Sequence, residues 1–83
     1  MQVMALANTL APAHAELRKL GFSVTRQPAL GSLRSILRAE RPGLVLEADD
    51  TLQLLGLATL VERRGEKWRP TDCEVDAFLG LES

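Results

Sequence analysis

The spacing of apolar residues near the start of the chain predicts an amphipathic helix. Leucine and alanine recur every three or four positions, an interval that places side chains on one side of a helix. The stripe consists of Leu6, Leu10, Ala13, Leu17 and Leu20. Asn8 or Thr9 can accept hydrogen bonds from the free amides of the first turn, and Gly21 suits the left-handed position after the last turn. We therefore predict a helix over residues 10–20.

The pattern changes to alternation directly after this helix. Residues 22–26 have the sequence Phe-Ser-Val-Thr-Arg, which includes two β-branched side chains, Val24 and Thr25. Such a run is typical of a short strand. Pro28 ends it, because proline has no backbone amide to donate.

Helical spacing returns in the next segment and predicts a second helix over residues 29–40. Its apolar side contains Leu30, Leu33 and Leu37, with Ile36 beside them. Three arginines recur at intervals that place them together on the other side, namely Arg34, Arg38 and Arg41. Pro42 and Gly43 then stop the helix.

The middle of the chain allows two interpretations. Residues 44–47 are compatible with a turn, a strand or the start of a helix. Asp49, Asp50 and Thr51 are good N-capping residues, so we predict a third helix over about residues 50–60. This segment is apolar almost all round, which predicts burial, although its Gly56 costs about 1 kcal/mol relative to alanine. The alternative is a strand over residues 44–48 that turns at the two aspartates into a second strand.

A glycine turn between two short runs predicts a β-hairpin over residues 60–70. The Gly-Glu pair at its centre suits a two-residue type II′ turn. This turn places Glu62 opposite Arg69 and Arg63 opposite Trp68. The first pair joins opposite charges, and the second allows the guanidinium to stack on the indole ring.

A capping box opens the final predicted helix. Thr71 stands three residues before Glu74, so each side chain can bond the backbone amide of the other residue. One side of this helix is apolar, with Val75, Phe78 and Leu79, and Gly80 is expected to end it. The predicted order is therefore helix–strand–helix–helix–hairpin–helix, a mostly helical α+β fold with one small hairpin.

Composition indicates one ordinary globular domain. The chain has 83 residues, of which 46% are hydrophobic and 25% are charged, so we expect residues 1–83 to form a single domain with a small core. The net charge is −1, which argues against a protein that coats nucleic acid with an extended basic surface. A local basic patch is compatible with this value.

Cysteine content and hydropathy indicate a cytoplasmic location. Cys73 is the only cysteine, so no internal disulfide can form, and a reducing compartment is the simplest location. No apolar run approaches the length of a membrane span. The apolar residues before Ala15 imitate a leader peptide, but they lack a basic start and are interrupted by Asn8 and Thr9. We assign them to the first helix.

Motifs of catalysis, metal binding and cofactor binding are absent from the sequence. It contains no glycine-rich phosphate loop, no paired metal ligands and no nucleophile motif. His14 is expected on the surface of the first helix, and the acidic neighbours of Cys73 oppose thiolate formation. Glu47, Asp49 and Asp50 do not match a calcium loop. We therefore expect a binding domain that is not an enzyme.

Residues 54–71 resemble the end of many winged-helix domains. Their sequence is Leu-Leu-Gly-Leu-Ala-Thr-Leu-Val-Glu-Arg-Arg-Gly-Glu-Lys-Trp-Arg-Pro-Thr. In those domains a helix runs into a Leu-Val-Glu-Arg strand, a glycine turn and an aromatic-basic strand. The segment looks like the wing of bacterial repressors and like the dimerisation winged helix that precedes small-molecule methyltransferase domains. Those families often place Leu-Gly-Leu directly before the strand, whereas here it comes earlier, at residues 55–57.

The resemblance implies where nucleic acid would bind. Winged helices that bind DNA insert the third helix into the major groove and lay the wing along the backbone. The predicted third helix has no basic residue and begins with two aspartates, which repel phosphates. The cations lie in the wing and the second helix, where they could hold phosphates without recognising sequence: Arg63, Arg64, Lys67, Arg69, Arg34 and Arg38. A solvated surface, partly neutralised by Glu40, Glu62 and Glu66, is the alternative.

Two functional hypotheses remain. The first is a small regulator of transcription that binds nucleic acid through its basic wing. The second is a module for protein–protein interaction or homodimerisation, with the acidic, leucine-rich third helix facing the partner. The usual role of the family favours the first, and the charge layout favours the second. Fold alone does not choose between them, and nucleic-acid binding is the leading hypothesis.

Overall fold

The described part of the chain contains three α-helices and one three-stranded antiparallel sheet. The computed structural model describes residues 1–4, 8–28 and 35–82. The element order is α1 (Leu10–Lys19), β1 (Ser23–Pro28), β2 (Ser35–Arg41), β3 (Leu44–Ala48), α2 (Thr51–Arg64), a short 3-10 turn (Gly65–Lys67) and α3 (Asp72–Glu82).

The sheet is a meander in the order β1–β2–β3, and one of its faces carries helices. Val24 of β1 stands opposite Ala39 of β2, which in turn stands opposite Leu46 of β3. Because successive side chains of a strand point to opposite faces, Leu37 shares this face with Ala39. Leu37, Ala39 and Leu46 are buried in one cluster with residues of α1 and α2, so sheet and helices form two layers.

The core between these layers depends on a few large side chains. Leu17 of α1 and Leu54 of α2 are completely buried, and Phe22 joins them at the start of β1. Arg41 covers this end of the core, with its guanidinium carbon 4.5 Å from the centroid of the Phe22 ring. The same guanidinium donates a 2.9 Å hydrogen bond to the carbonyl of Leu20, which satisfies one of the free carbonyls at the end of α1.

The structure confirms the first helix, the first strand and the final helix. Gly21 follows α1 with a φ of +92°, as its predicted role at the helix end requires. The capping box also forms, because the Glu74 amide donates to Thr71 Oγ1 at 3.2 Å and the Thr71 amide donates to Glu74 Oε1 at 2.8 Å. α3 continues past Gly80 to Glu82.

The predicted second helix is wrong where it can be compared, because residues 35–41 form strand β2. The other part of that prediction, which includes Arg34, lies outside the described residues. Within β2, Leu37 and Ala39 are buried while Arg38 between them is not. This two-residue period is that of a strand with one buried face, so the leucine and arginine spacings matched a helix by coincidence.

Pro42 and Gly43 form the turn between β2 and β3 and are not a helix stop. Gly43 has a φ of +80°, and proline followed by a glycine with positive φ is the preferred composition of a type II turn. The strand over residues 44–48 is therefore real. It pairs with β2, not with the segment that follows it.

The predicted third helix is confirmed and is longer than expected. Asp50 caps α2, since its Oδ1 accepts a 2.8 Å hydrogen bond from the Gln53 amide. The helix continues to Arg64 because Leu54, Ala58 and Val61 recur at helical spacing and pack against the core. The alternative second strand over residues 50–60 is absent.

The predicted hairpin over residues 60–70 is wrong. Residues 60–64 are the last turn of α2, and Gly65 with its φ of +62° ends this helix instead of turning a hairpin. The cross-strand pairs of Glu62 with Arg69 and of Arg63 with Trp68 therefore do not form. The glycine and the arginines before it are as typical of a helix C-terminus as of a hairpin turn. The apolar stripe of Leu54, Ala58 and Val61 favours the helix.

The α+β class is confirmed, but the order of elements differs from the prediction. The observed order is helix–strand–strand–strand–helix–helix, apart from the 3-10 turn. α3 is the element least attached to the rest. Only Glu74 in its first turn is partly buried, and the described residues after it are all exposed.

Candidate functional site

The predicted basic site is divided in the structure. Arg63 and Arg64 end α2, while Lys67 and Arg69 follow in the next turn and connector. Arg38 lies on β2, opposite Glu47 of β3, on the face of the sheet away from the helices. Its Nε is 3.0 Å from Glu40 Oε1. The six predicted residues therefore give one local cluster, one separate strand residue and one residue, Arg34, outside the described ranges.

Half of the local cluster is already engaged within the chain. Arg64 forms an ion pair with Glu74 of α3 and donates a 3.2 Å hydrogen bond to the Trp68 carbonyl. The guanidinium carbon of Arg69 lies 5.5 Å from the centroid of the Trp68 ring. Arg63 and Lys67 form no ion pair with any described residue. They are the cations of the cluster that remain open to an external anion.

Acidic residues surround this cluster. Glu62 and Glu66 alternate with the cations, and α3 carries four acidic and no basic side chains: Asp72, Glu74, Asp76 and Glu82. Since α3 begins next to the cluster and is tied to it through Glu74, its charge lowers the positive potential there. This arrangement weakens the attraction of the cluster for an extended phosphate backbone, although residues 62–69 keep more cations than anions.

A concave feature follows the outer edge of β3. One depression of about 670 Å³ lies between the end of β3 and the middle of α2, and another of about 370 Å³ lies between the start of β3 and the last turns of α2. Both are lined by Glu47, Leu57 and Leu60, so they form one continuous channel. We call it the edge groove.

The walls of the edge groove are mostly apolar, and their charged residues, Glu47 and Asp49, are both acidic. Val45 and Leu46 contribute from β3, Leu57 and Leu60 from α2, and Trp68 closes one end. Leu60 and Trp68 are exposed by 40% and 42%. They are far more accessible than the core leucines, which indicates a surface that is open to a partner.

The position of α2 explains why these side chains stay accessible. Leu54 and Ala58 point at the sheet and are buried, whereas Leu57 and Leu60 are rotated towards the outer edge of β3. Gly56 lines the same channel, and a methyl group at its Cβ position would meet no atom within 4 Å. The helix therefore presents a second apolar side that nothing in the described chain covers.

The backbone of β3 adds directional binding capacity to the groove. β3 pairs only with β2 among the described strands, so its outer amides and carbonyls are unpaired along the groove. Such edges are usually protected by charges, proline or a covering element. Glu47 is the only charged residue of β3, so this protection is weak.

A third depression, of about 510 Å³, gathers the polar residues considered for chemistry. It lies between α1, β1 and the start of α2 and includes His14, Arg26 and Asp50. Asp50 is occupied as the helix cap, and Thr51 Oγ1 donates a 2.6 Å hydrogen bond to the Leu10 carbonyl. The bond between Thr51 and Leu10 fastens α2 to α1. Among the described residues no three histidine, cysteine or acidic side chains group as a metal site would require.

The sequence prediction missed the groove, although it contained a signal for it. Residues 52–60 include five leucines, more than one side of a helix can direct at a small sheet. Apolar residues on almost all sides predict burial of the whole segment. A helix with apolar residues on two sides equally predicts a second packing surface.

Comparison of the chain with models of protein families, with curated proteins and with solved structures gave no match. In the described part of the chain, the helices are too short or too polar to cross a membrane.

Proposed function

We propose that this domain is a protein-interaction module that binds an apolar segment of a partner in the edge groove. The observation that carries the proposal is the combination of apolar walls with an unpaired strand edge. Leu57, Leu60 and Trp68 offer hydrophobic contact, and the β3 backbone offers hydrogen bonds. Known modes of peptide recognition use these two elements, a groove and a free edge.

The exposure of the groove residues also supports this proposal. Burying the accessible parts of Leu60 and Trp68 stabilises a complex, because apolar surface contributes about 25 cal/mol per Å² when it leaves water. Large aromatic residues in such positions are the usual energetic centres of interfaces. A partner that fills the groove gains from both residues.

Selection of peptides tests the proposal. A phage-displayed library of random 12-residue peptides is selected on the immobilised domain, and the binders are then measured on three variants. Leu60→Asp places a charge in the groove, and Trp68→Ala removes the side chain that closes one end of it. Leu52→Asp is the matched control, because Leu52 is on the same helix and is exposed by 42% but does not line the groove.

We expect peptides rich in apolar residues that bind the unmodified domain and the Leu52→Asp control. Leu60→Asp and Trp68→Ala should each weaken binding about tenfold or more, as loss of a large apolar contact in an interface does. Circular dichroism shows whether the variants are folded. Because the two groove variants change different residues, a loss of binding in both excludes an effect peculiar to one substitution. Equal binding by all variants, or no enrichment from the library, would contradict the proposal.

Nucleic-acid binding is the second candidate function. The observation that favours this role is a pair of open cations, Arg63 and Lys67, near the end of α2. Random duplex DNA titrated at two salt concentrations tests it. If DNA binds there, Arg63→Ala with Lys67→Ala should weaken binding to all sequences and reduce the salt slope by about two units, one for each phosphate contact. The groove proposal predicts no measurable affinity for DNA.

A further inference from the structure

We infer that the edge groove of one copy binds α3 of a second copy, so that the chain forms a dimer by exchange of α3. This inference rests on the proposed function and names the partner of the same groove. It follows from the apolar side of α3, which is exposed in its own chain, and from the opposite charges of α3 and of residues 62–69 at one end of the groove.

α3 is an amphipathic helix of the kind that binds in apolar grooves. Val75, Phe78 and Leu79 lie three and four residues apart and share one side of the helix, with Leu81 next to them. Their exposures are 40%, 57%, 55% and 82%, respectively. A free helix of 11 residues is marginally stable in water, so an amphipathic helix of this length requires an apolar surface to cover it.

The attachment of α3 leaves that apolar side free. Its first turn is fixed by the Thr71–Glu74 capping box and by the ion pair between Glu74 and Arg64. From Val75 onward all described residues are exposed. The helix therefore does not occupy the edge groove of its own chain, and the groove and the helix are both open in the single copy.

Charge identifies the counterpart of α3. The helix carries four acidic and no basic residues, whereas residues 62–69, which surround Trp68 at one end of the groove, carry four cations and two anions. The Arg64–Glu74 pair shows that these two segments attract each other within one chain. Pairing of α3 with α3 of a second copy would instead bring eight carboxylates together, which is repulsive.

The area of the exchange is consistent with a reversible dimer. An 11-residue helix is about 16 Å long and about 10 Å in diameter, so half of its curved surface is on the order of 250 Å². Two helices and two grooves then bury about 1,000 Å², near the lower limit for specific protein interfaces. A two-fold exchange uses each contact twice, and the expected dimer dissociates on dilution.

Sedimentation of the full-length chain over a wide concentration range tests the inference. We expect a reversible monomer–dimer equilibrium. Phe78→Asp on α3 and Leu60→Asp in the groove should each raise the dimer dissociation constant by about tenfold or more. Leu52→Asp should leave it unchanged. Raising sodium chloride from low to moderate concentration should weaken the dimer, because salt screens the attraction between acidic helix and basic rim.

Mixing the two defective variants distinguishes exchange from other dimers. The Phe78→Asp copy keeps an intact groove, and the Leu60→Asp copy keeps an intact α3. Their heterodimer retains one of the two contacts, so the mixture should dimerise more tightly than either variant alone. A dimer built by pairing β3 edges or α3 helices would show no such recovery.

Several outcomes would overturn the inference. A chain that stays monomeric at all concentrations excludes a second copy as the partner, and so does a dimer that Phe78→Asp does not weaken. If library peptides bind the groove of such a chain, the proposed function stands and only the identity of the partner is wrong. If neither peptides nor a second copy bind, both proposals fail.

Discussion

In the described part of the chain, Leu17 and Leu54 are the two large side chains that are completely excluded from water. They belong to the same core cluster, and no polar side chain of the described residues is buried with them. A small domain has a net stability of only about 0.05–0.15 kcal/mol per residue, so each of these leucines accounts for a large share of it.

Truncation of Leu54 should therefore be severe. We expect Leu54→Ala to lower the free energy of unfolding by about 2–5 kcal/mol, because transfer energy is lost and a cavity remains. Leu52→Ala, two positions away and exposed by 42%, should change it by less than about 0.5 kcal/mol. Urea denaturation followed by circular dichroism measures both. Similar losses for the two variants would show that the assignment of the buried side of α2 is wrong.

Two glycines of the α2 region should respond in opposite directions to the same change. Gly56 is inside the helix with open space at its Cβ position, whereas Gly65 ends the helix with a φ of +62°. Gly56→Ala should raise the free energy of unfolding by about 1 kcal/mol through helix propensity. Gly65→Ala should lower it by about 1 kcal/mol, since alanine avoids positive φ. Denaturation at low protein concentration measures both, and a destabilising Gly56→Ala would show that its space is filled.

At the scale of elements, α3 should unfold without the rest of the domain. Thr71→Ala removes the capping bond to the Glu74 amide, and loss of such a cap costs about 1 kcal/mol. Because α3 is exposed beyond its first turn, we expect faster amide hydrogen exchange over residues 72–82 and unchanged exchange in α1 and α2. Thr59→Ala is the control, since Thr59 Oγ1 bonds only the Leu55 carbonyl within α2. Faster exchange throughout the domain would show that α3 belongs to the core.

The elements that the sequence predicts correctly are those with local signals. The Thr71–Glu74 box and the Asp50 cap act within three residues, so neighbouring sequence is sufficient to recognise them. β2 was missed because its buried Leu37 and Ala39 are good helix formers and its strand character depends on pairing with β1 and β3. Pro42 and Gly43 contained the turn signal, but a helix stop has the same composition.

The edge groove could not be predicted in the same way. It exists because α2 lies beside the outer edge of β3, and no interval in the sequence specifies that placement. The basic site, in contrast, is predicted from the sequence but is divided in the structure. Arg63 and Lys67 remain neighbours because they belong to one continuous segment, whereas Arg38 shared a surface with Arg41 only in a helix that does not form.

At the scale of the whole molecule, the main feature is a pair of exposed apolar surfaces. One is the edge groove along β3, and the other is the apolar side of the acidic helix α3. A monomer that keeps both surfaces in water carries a risk of aggregation. Occupation of the groove removes this risk, which is the physical reason to expect a partner.

Trp68 provides the most direct measurement of groove occupation, because it is the only tryptophan and lines the groove. Its fluorescence emission is recorded while protein concentration is raised, and again while selected apolar peptides are added to dilute protein. We predict a shift to shorter wavelength and reduced quenching by acrylamide in both titrations, and neither effect in Leu60→Asp. Emission that stays constant in both titrations and responds only to duplex DNA would contradict the account.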